Sequence, residues 1–390
     1  MTKKISFGKD NEAWKKVALE SVADIIGGGT PSTLLPSFWN GDIPWFTPTE
    51  IGNEKYVSES LRSLTDSGLL KSSAKIVPAN SILLTTRAKL GEMAITSRDV
   101  TTNQGFQNLV PNVEKITTEF LFYLQPIIKA YCETHASGST FREISKSVLS
   151  KMTIPLPSIP EQVQIASFLS TLDERIELQS KKVELLSEQK NGYSQKIFSR
   201  ELVFKDDNGE SYGEWKNLKV KDVFHVSRGT VIAKTSLSSV KTTTFKYPVY
   251  SSQTTNQGLM GWNSTFLLEG DKITWTTDGA NAGTVFSRKG QYSCTNVCGI
   301  LTAKSSFIGY ANEFVSEALG RVAKKYVSYV GNPKLMSNIV AEIELPFPVL
   351  EEQKKVANFL LALEQNIKLE KQKLELLKQQ KQGYMQRIFT

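Results

Sequence analysis

The sequence predicts a chain of mixed helices and strands in which one structural plan occurs twice. Residues 154–199 align without gaps on residues 345–390 at an offset of 191, with 21 identities in 46 positions. Alternating apolar runs, broken by Gly, Asn and Thr turns, precede both copies and are typical of strands. At roughly 150 residues per domain, 390 residues correspond to two or three domains.

Both repeated segments predict a long helix. Apolar side chains recur at steps of four and three over about 35 residues, which is the spacing of a coiled-coil seam. Both copies place a polar residue at the same two points of the seam, Gln179 with Glu370 and Lys190 with Lys381, as register control requires. The alternative is that each helix packs on its own globular neighbour. The predicted seam residues are Ile165, Leu169, Leu172, Ile176, Val183, Leu186, Val356, Leu360, Leu363, Ile367, Leu374 and Leu377.

The regions before the two helices resemble each other more faintly. Trp14 and Trp215 open similar runs, and SILLTTRAKLGEMAI around Thr85 resembles DKITWTTDGANAGTVF around Thr276. The run TNQGF in the first region is similar to the run TNVCG in the second. The matched motifs recur in both regions while the side chains between them differ. This pattern indicates two similar domains that recognise different targets.

The charge distribution favours a polyanionic partner. The chain has a formal net charge of +8. Residues 1–160 hold 17 Lys and Arg against 15 Asp and Glu, a net of +2, whereas residues 213–345 hold 15 against 9, a net of +6. Phosphate attraction is the sequence-independent part of nucleic-acid binding, so the second region is predicted to carry the stronger positive field.

The cysteines and apolar runs indicate a reducing cytoplasm. The number of cysteines, three, is small for the length of the chain and odd, so a disulfide framework is not expected. Cys294 and Cys298 are close enough in sequence to share a metal, but a zinc site needs four ligands. Residues 1–11 are polar, unlike a secretion signal, and no apolar run approaches the ~18 residues of a membrane helix.

No catalytic residue is predicted. The chain has no Pro-Pro pair, which the base-gripping loop of an adenine methyltransferase needs, and no Walker A loop. Glu188-Gln189-Lys190 and residues 352–354 match the tail of a nuclease motif, but both fall on the predicted helices. Residues 27–29 form a Gly-Gly-Gly turn that is either structural or close to nucleic acid.

These motifs together resemble the specificity subunit of type I restriction-modification systems. The order is a Trp-led globular region, a strand ending in Pro-x-Pro, a Glu-Gln helix start and a long heptad helix, and then all of it again. The most specific segments are IPLPSIPEQVQIASFLSTLDERI (154–176) with its second copy, IPWFTPTEI (43–51) and YPVYSSQTTNQG (247–258). The resemblance covers nearly the whole chain.

The resemblance implies an α+β fold with two pseudo-repeated target-recognition domains joined by two long antiparallel coiled-coil helices. The expected boundaries are residues 1–160 and 200–351 for the domains, and 161–199 and 352–390 for the helices. The family reads a two-part asymmetric sequence in double-stranded DNA. Its partners are two methyltransferase subunits, which methylate adenine N6, and restriction/translocase subunits. No cofactor is expected in this chain, since S-adenosylmethionine, ATP and Mg²⁺ would lie on those partners.

The loops provide the candidate DNA contacts. Arg pairs with guanine by two hydrogen bonds, Lys holds phosphate, and Asn or Gln reads adenine edges. The alternative for each candidate is an ordinary turn residue. The candidates are Thr86, Arg87, Lys89, Asn103, Gln104, Ser251, Gln253, Thr254, Asn256, Thr277, Asn281 and Lys334.

Two other classes of protein stay open. One is a self-contained DNA enzyme such as a nuclease, against which the missing motifs count. The other is a coiled-coil DNA-binding or scaffold protein without a restriction role, against which the repeated globular frame counts.

Overall fold

The computed structural model describes residues 14–138 and 142–389. The chain forms two compact units. Unit 1 comprises Met1–Gln179 and Leu374–Thr390, and unit 2 comprises Ser180–Lys373. Both boundaries fall inside long helices, so each unit contains one half of each long helix.

Unit 1 is built of short strands and helices that precede the first long helix. The strands are β1 (Lys15–Ala18), β2 (Ala23–Gly27), β3 (Trp39–Phe46), β4 (Tyr56–Val57), β5 (Arg62–Leu64), β6 (Ile82–Leu84), β7 (Met93–Thr96), β8 (Thr101–Thr102), β9 (Gln107–Pro111) and β10 (Thr153–Leu156). The helices are α1 (Asp66–Leu70), α2 (Thr118–Tyr123), α3 (Gln125–His135), α4 (Lys146–Ser150) and the long α5 (Ile159–Phe198).

The strands of unit 1 form two sheets and one pair. The larger sheet has the order β2-β9-β6-β7-β4, the smaller has the order β5-β3-β8, and β1 pairs with β10. Strands β3 and β8 are parallel, with Trp45 opposite Thr101 and Phe46 opposite Thr102. Parallel strands end at the same edge, so the loops that follow β3 and β8 start side by side.

The larger sheet of unit 1 is buried on both faces. Ile82 and Leu84 of β6 join one core with α2 and α3, while Leu83 joins a second core with Phe46 and Phe106. Successive side chains of a strand point to opposite faces, so a sheet covered on both sides needs a continuous apolar run. That requirement explains the unbroken Ile-Leu-Leu of this strand.

Unit 2 repeats this plan. Its strands are β11 (Lys216–Lys219), β12 (Phe224–Arg228), β13 (Tyr247–Tyr250), β14 (Leu259–Asn263), β15 (Leu268–Glu269), β16 (Lys272–Thr276), β17 (Val285–Arg288), β18 (Gln291–Cys294), β19 (Cys298–Ala303) and β20 (Glu344–Phe347). Its helices are α6 (Val220–Val223), α7 (Glu313–Ala323), α8 (Ser337–Glu342) and the long α9 (Leu350–Phe389).

The sheets of unit 2 correspond to those of unit 1. Their orders are β12-β19-β16-β17 and β14-β13-β18-β15, and β11 pairs with β20. Strands β13 and β18 are parallel, with Val249 opposite Ser293 and Tyr250 opposite Cys294, as β3 and β8 are in unit 1. The α+β prediction is therefore confirmed in both units.

Each unit contains an antiparallel helix pair locked by the same aromatic contact. In unit 1 the rings of Phe168 (α5) and Tyr384 (α9) meet edge to face, with centroids 5.1 Å apart. In unit 2 Tyr193 (α5) and Phe359 (α9) meet in the same way at 5.2 Å. The two contacts are related by the offset of 191, which explains why Phe and Tyr recur in both helices.

One of the two repeated polar interruptions of the seam, Lys190 with Lys381, forms an ion pair in each copy. Lys190 binds Glu364 in unit 2, and Lys381 binds Asp173 in unit 1. The two carboxylates also lie 191 residues apart, so both partners of the pair belong to the repeat. A charged pair at one level of a helix pair can fix its register, which remains our interpretation of the repeated lysine.

The repeated Glu-Gln at each helix start has a structural role. Gln162 donates to Pro157 O (3.0 Å) and accepts from Thr117 N (2.8 Å), and Gln353 donates to Pro348 O (2.9 Å). These buried amides join the first helical turn to the strand before it. In unit 2 the buried Glu352 also accepts hydrogen bonds from Arg200 and Trp215.

The helices begin two residues earlier than the predicted spans 161–199 and 352–390. The twelve seam residues are all buried or half-buried. The buried ones are Ile165, Leu169, Leu172, Val183, Val356, Leu360, Ile367 and Leu377.

Candidate nucleic-acid interface

A hairpin loop follows β6 in unit 1. Thr85 N donates to Glu92 O (2.9 Å) and Gly91 N donates to Thr85 O (2.8 Å), which closes residues 86–91 into a tight loop. Ala88 has a φ of +58° at its tip, a conformation that most side chains avoid. The loop therefore has a defined shape that projects Arg87 and Lys89, the second of which is exposed.

The turn between β8 and β9 lies beside that hairpin loop. Asn103 N donates to Phe46 O (3.0 Å), and the Asn103 side chain accepts from Gly105 N (2.8 Å), an Asx turn. Thr86 N donates to Gly105 O (2.8 Å), which joins the turn to the hairpin loop. Three chain segments thus meet at the end of the parallel β3–β8 pair.

The Gly-Gly-Gly turn supplies a fourth segment. Gly29 N donates to Thr102 O (2.8 Å), and Thr30 donates to Gln104 Oε1 (2.5 Å). A Cβ on Gly28 would lie 2.0 Å from Asn103 O, so the two backbones approach too closely for any side chain. We call residues 27–30, 47–50, 86–91 and 103–105 the unit 1 loop edge.

Unit 2 builds the same edge with the same backbone bonds. Thr276 N donates to Thr284 O and Gly283 N donates to Thr276 O, both at 2.9 Å, and Gly279 at the tip has a φ of +89°. Thr277 N donates to Val297 O at 3.0 Å, the bond that Thr86 makes in unit 1. We call residues 228–230, 251–258, 277–283 and 295–297 the unit 2 loop edge.

The segment 251–258 of unit 2 is a compact polar loop. Ser251 N donates to Gly258 O (2.9 Å), and the Gln253 side chain donates to Leu259 O, so the loop closes on itself. Asn256, Gln257 and Gly258 have φ values of +49°, +53° and +82°. Residues 253–257 are exposed and consist of Gln, Thr and Asn, the amide and hydroxyl side chains that contact bases and phosphates.

The two loop edges carry opposite charges at equivalent positions. In unit 1 Arg87 pairs with Glu143, with Nη2 and Oε2 2.8 Å apart. The residues 191 positions later are Asp278 and Lys334, whose backbones form a bridge. Asp278 instead binds Arg228 (3.2 Å), and no carboxylate of the described residues lies within ion-pair distance of Lys334.

Eleven of the twelve predicted DNA-contact residues lie on the two loop edges, and Lys334 lies beside the unit 2 loop edge. Lys89, Gln104, Gln253, Thr254, Asn256, Asn281 and Lys334 are exposed, and Arg87, Asn103 and Ser251 are half-exposed. Thr86 and Thr277 are buried at 0 % and 1 % exposure, which corrects their assignment as contact residues. Their backbone bonds to the neighbouring turns make them part of the scaffold below the loops.

The structure adds residues that the sequence reasoning missed. Glu143 and Arg228 engage the charged residues of the loops, and the buried Arg288 lies beneath segment 251–258. The offset of 191 was a usable signal for Glu143, because it aligns this residue with the predicted Lys334. Arg228 and Arg288 had no such signal.

Cys294 and Cys298 form a buried thiol pair in unit 2. A hydrogen bond between the two thiols raises the pKa of Cys294, and burial raises it further. The same hydrogen bond lowers the pKa of Cys298. Among the described residues no group of three or more His, Cys, Asp or Glu side chains is placed to hold a metal ion.

The geometry defines a class of protein with two α+β units that present equivalent loop edges carrying different side chains. The family model for the type I restriction modification DNA specificity domain matches residues 11–188 and 212–379. The chain therefore belongs to the family of type I restriction-modification DNA specificity domains. In the part of the chain that the structure covers, no helix is long and apolar enough to cross a membrane.

Curated relatives agree with this assignment. A type I restriction enzyme MjaIX specificity subunit from Methanocaldococcus jannaschii is 33 % identical over 240 residues, which is 58 % of this chain and 55 % of that protein. The N-terminal part of a putative specificity subunit from Mycoplasma pneumoniae, S.MpnORF289P, is 44 % identical over 146 residues, 37 % of this chain and 75 % of that protein. The chain thus spans about half of the length of the relative from Methanocaldococcus jannaschii.

Solved structures share the fold. The S subunit of a type I restriction-modification system from M. genitalium has a TM-score of 0.63 at 21 % identity, covering 100 % of this chain and 99 % of that chain. A chain from a study of complex assembly and conformational transition of the type I R-M system has a TM-score of 0.61 at 16 % identity, covering 98 % and 99 %.

Proposed function

We propose that this chain is the DNA specificity subunit of a type I restriction-modification complex and that each unit reads one half of a bipartite asymmetric target. The observation that carries the proposal is the pair of loop edges. Their backbones are bonded alike while their exposed side chains differ, even to the reversal of a charge. Such a frame suits two readers that present one geometry to DNA and select different bases.

The side chains suit the chemistry of base and phosphate contacts. Unit 1 offers Arg87 and Lys89 on a shaped hairpin loop with Gln104 beside it. Unit 2 offers the amides of Gln253 and Asn256, with Lys334 as an exposed cation that pairs with no carboxylate among the described residues. Amides read base edges and lysines hold phosphates, so unit 2 would combine a base-reading loop with an electrostatic contact.

Partner subunits would dock on the helices. Leu178 and Leu369 are equivalent in the repeat and are 67 % and 64 % exposed, and Leu185 and Leu376 are equivalent and both 55 % exposed. Large apolar side chains exposed at matched positions suit two copies of one partner. We assign these leucines to contacts with two methyltransferase subunits, to which the restriction/translocase subunits add.

We assign the chemistry to those partners. S-adenosylmethionine, ATP and Mg²⁺ would bind there, and this chain would act in the cytoplasm without a catalytic residue of its own. The isolated chain is then expected neither to methylate nor to cut, and adding its methyltransferase subunits is expected to produce adenine methylation. Transfer of a labelled methyl group by the chain alone would contradict this assignment.

A block exchange tests the central proposal. Residues 213–345 are replaced by the corresponding block of another family member, and the complex with methyltransferase subunits selects DNA from a random library. One half of the selected target is expected to change while the other half is kept. A reciprocal exchange of residues 12–150 should change the other half. If the complex with the unexchanged chain shows no sequence preference at all, a scaffold protein is favoured instead.

A further inference from the structure

Arg288 is a buried cation beneath segment 251–258. It is 4 % exposed, and its Nη2 donates to Gln257 O at 2.7 Å. Its Nε lies 3.3 Å from Thr274 Oγ1. Among the described residues no carboxylate lies within ion-pair distance of this guanidinium, although buried charges are normally paired. Its position therefore needs an explanation other than a salt bridge.

Aromatic rings replace the missing carboxylate. The guanidinium carbon of Arg288 lies 3.6 Å from the ring centroid of Tyr250 and 4.3 Å from that of Phe286. The negative faces of aromatic rings attract cations, and a planar guanidinium also stacks on them. Burial lowers the pKa of Arg288, but arginine titrates at such high pH that it stays charged under neutral conditions.

The contacts of Arg288 span both ends of the segment. Tyr250 is the residue before the segment, and Gln257 and Gly258 close it. Gln257 has a φ of +53°, a conformation that an unsupported glutamine rarely adopts. A charge-assisted hydrogen bond to its carbonyl holds that backbone in place, because such bonds are stronger than neutral ones.

We propose that Arg288 is a positioning residue that sets the base preference of unit 2 by fixing the backbone of residues 251–258 from below. The inference rests on the proposed function, since it gives that segment the role of a DNA reader. Arg288, which is buried, would not itself touch DNA. It acts through Gln257 and Gly258, which determine where the exposed amides of the segment point.

At the position equivalent to Arg288, unit 1 has an uncharged residue, which makes the effect specific to one half of the target. By strand register the position equivalent to Arg288 on β7 is Thr96, because Ser287 lies opposite Ile273 as Ile95 lies opposite Ile82. Thr96 Oγ1 accepts from Ser81 N (3.0 Å) and donates to Pro78 O (2.8 Å). The equivalent segment 47–50 is held by Glu50 instead. Removing Arg288 should therefore leave the reading by unit 1 intact.

The test uses the full chain in complex with its methyltransferase subunits and selection of bound DNA from a random library. Arg288→Met is expected to flatten the base preference in the unit 2 half-target by about tenfold at one or more positions, the size of a lost base contact. The preference in the unit 1 half-target should not change. A variant that simply unfolds would lose both halves, so the melting temperature is measured alongside.

Arg288→Lys separates position from charge. Lysine keeps the positive charge but lacks the planar fork that reaches Gln257 O while stacking on Tyr250. If Arg288 positions the segment, Arg288→Lys should also lose preference in the unit 2 half-target. Full base preference in Arg288→Lys would show that the charge alone matters and would overturn the proposal.

A glycine variant perturbs the same segment without replacing the buried cation, and a second glycine provides its control. A Cβ on Gly258 would lie 3.0 Å from Gln253 O and 3.2 Å from Arg288 Nη2. Gly290 has nearly the same φ, +80° against +82°, but nothing within 4 Å. Gly258→Ala is expected to reproduce the Arg288→Met change, and the matched control Gly290→Ala is expected to keep the parent target.

Variants of residues 251–258 distinguish the proposal that this segment reads DNA from the proposal that Arg288 positions it. If Gln253→Ala and Asn256→Ala both leave the unit 2 half-target unchanged, residues 251–258 do not read DNA, and the proposed function of the unit 2 loop edge is wrong. If these two variants change the half-target while Arg288→Met and Gly258→Ala do not, the function of the unit 2 loop edge stands and the positioning role of Arg288 is wrong.

Discussion

Unit 1 and unit 2 close the same hairpin with the same two backbone hydrogen bonds, yet they present opposite charges on it. Arg87 of unit 1 corresponds to Asp278 of unit 2, and Glu143 corresponds to Lys334. In unit 1 the cation of the loop is held by a carboxylate, whereas in unit 2 the loop carboxylate binds Arg228 and Lys334 has no carboxylate within ion-pair distance in the described chain. The frame thus tolerates a complete reversal of side-chain charge.

The segments after the parallel strands show the same freedom. Residues 47–50 are held by a carboxylate that caps their own backbone, and residues 251–258 are held by a guanidinium from another strand. The shared geometry comes from backbone hydrogen bonds, which do not depend on side-chain identity, and from close backbone approaches that require glycine at a few positions. Side chains above that frame are then free to differ, which is what two readers of different sequences need.

The largest expected effect tests the shared frame. A Cβ on Gly28 would lie 2.0 Å from Asn103 O, and one on Gly229 would lie 2.3 Å from Cys294 O and Thr295 O. Backbone cannot yield as a flexible side chain does, so each Gly→Ala variant should cost about 3 kcal/mol of stability, the upper range for overpacking. Chemical denaturation of each variant measures it.

Matched controls come from the helices. Gly192 and Gly383 are equivalent helical glycines with nothing within 4 Å of an added Cβ. Alanine there should stabilise the protein by up to about 1 kcal/mol, the difference in helix propensity. If Gly28→Ala and Gly229→Ala were as mild as these, the close approach would not be a requirement of the frame.

The second prediction tests how the charged residues that differ between the two units contribute to DNA binding. Arg87→Ala should cost about 1–3 kcal/mol of binding and relax one base position if Arg87 reads a base. If it holds a phosphate, binding should weaken evenly across sequences and the salt slope should fall by about one. Lys334→Ala is expected to give the phosphate result. Binding titrations at several salt concentrations distinguish these outcomes.

Glu143→Gln is the counterpart variant. It frees Arg87 from a pair in which the two side chains are 42 % and 35 % exposed, so the pair itself is worth under about 1 kcal/mol. DNA binding should strengthen slightly, with a steeper salt dependence. Unchanged binding in both Arg87→Ala and Glu143→Gln would place this pair away from DNA.

The sequence predicted the features that recur at fixed spacing. The long helices, the seam and its polar interruptions were readable because Lys190 and Lys381, or Phe168 and Phe359, recur at the offset of 191. The structure adds the reason for these identities, since each Lys finds a carboxylate and each Phe finds a Tyr across the helix pair.

Contacts between distant segments could not be predicted in this way. Thr86 and Thr277 have the polar side chains of a loop, but the strand register buries them. Arg288 was invisible as a positioning residue because it ends an ordinary strand, and its link to Gln257 depends on how two sheets meet. Residue type and local spacing carry no information about such approaches.

The third prediction concerns Glu50, which holds residues 47–50 of unit 1 as Arg288 holds residues 251–258 of unit 2. Glu50 accepts from Thr47 N (2.8 Å), Thr47 Oγ1 (2.7 Å) and Leu61 N (2.8 Å). Glu50→Ala should destabilise the protein by about 1 kcal/mol, as the loss of a capping interaction does. It should also alter the unit 1 half-target alone. Glu54→Ala, which removes an exposed carboxylate nearby, is the control for both measurements and should change neither.

The smallest expected effect concerns a charge cluster of unit 2. Hydrogen bonds from Lys221 (2.5 Å) and Lys219 (3.0 Å) hold the pKa of Glu342 below its ordinary value of 4.5. A carboxyl with a lowered pKa in the folded state contributes stability above its unfolded pKa and loses it as the pH falls through the folded pKa. By strand register the equivalent residues of unit 1 are Ala18, Glu20 and Lys151, because Ala18 lies opposite Thr153 as Lys219 lies opposite Glu344. These three residues form no such cluster in the described structure.

Glu342→Gln should therefore lower the melting temperature slightly at neutral pH and at low salt, because the cluster is exposed and screened. The difference from the parent protein should shrink as the pH drops below about 4.5 and vanish below the folded pKa, where the carboxyl is protonated in both states. Lys151→Gln, at the position equivalent to Glu342, should show no such pH dependence. A difference between parent and Glu342→Gln that persisted in strong acid would mean that the glutamate acts through packing and not through its charge.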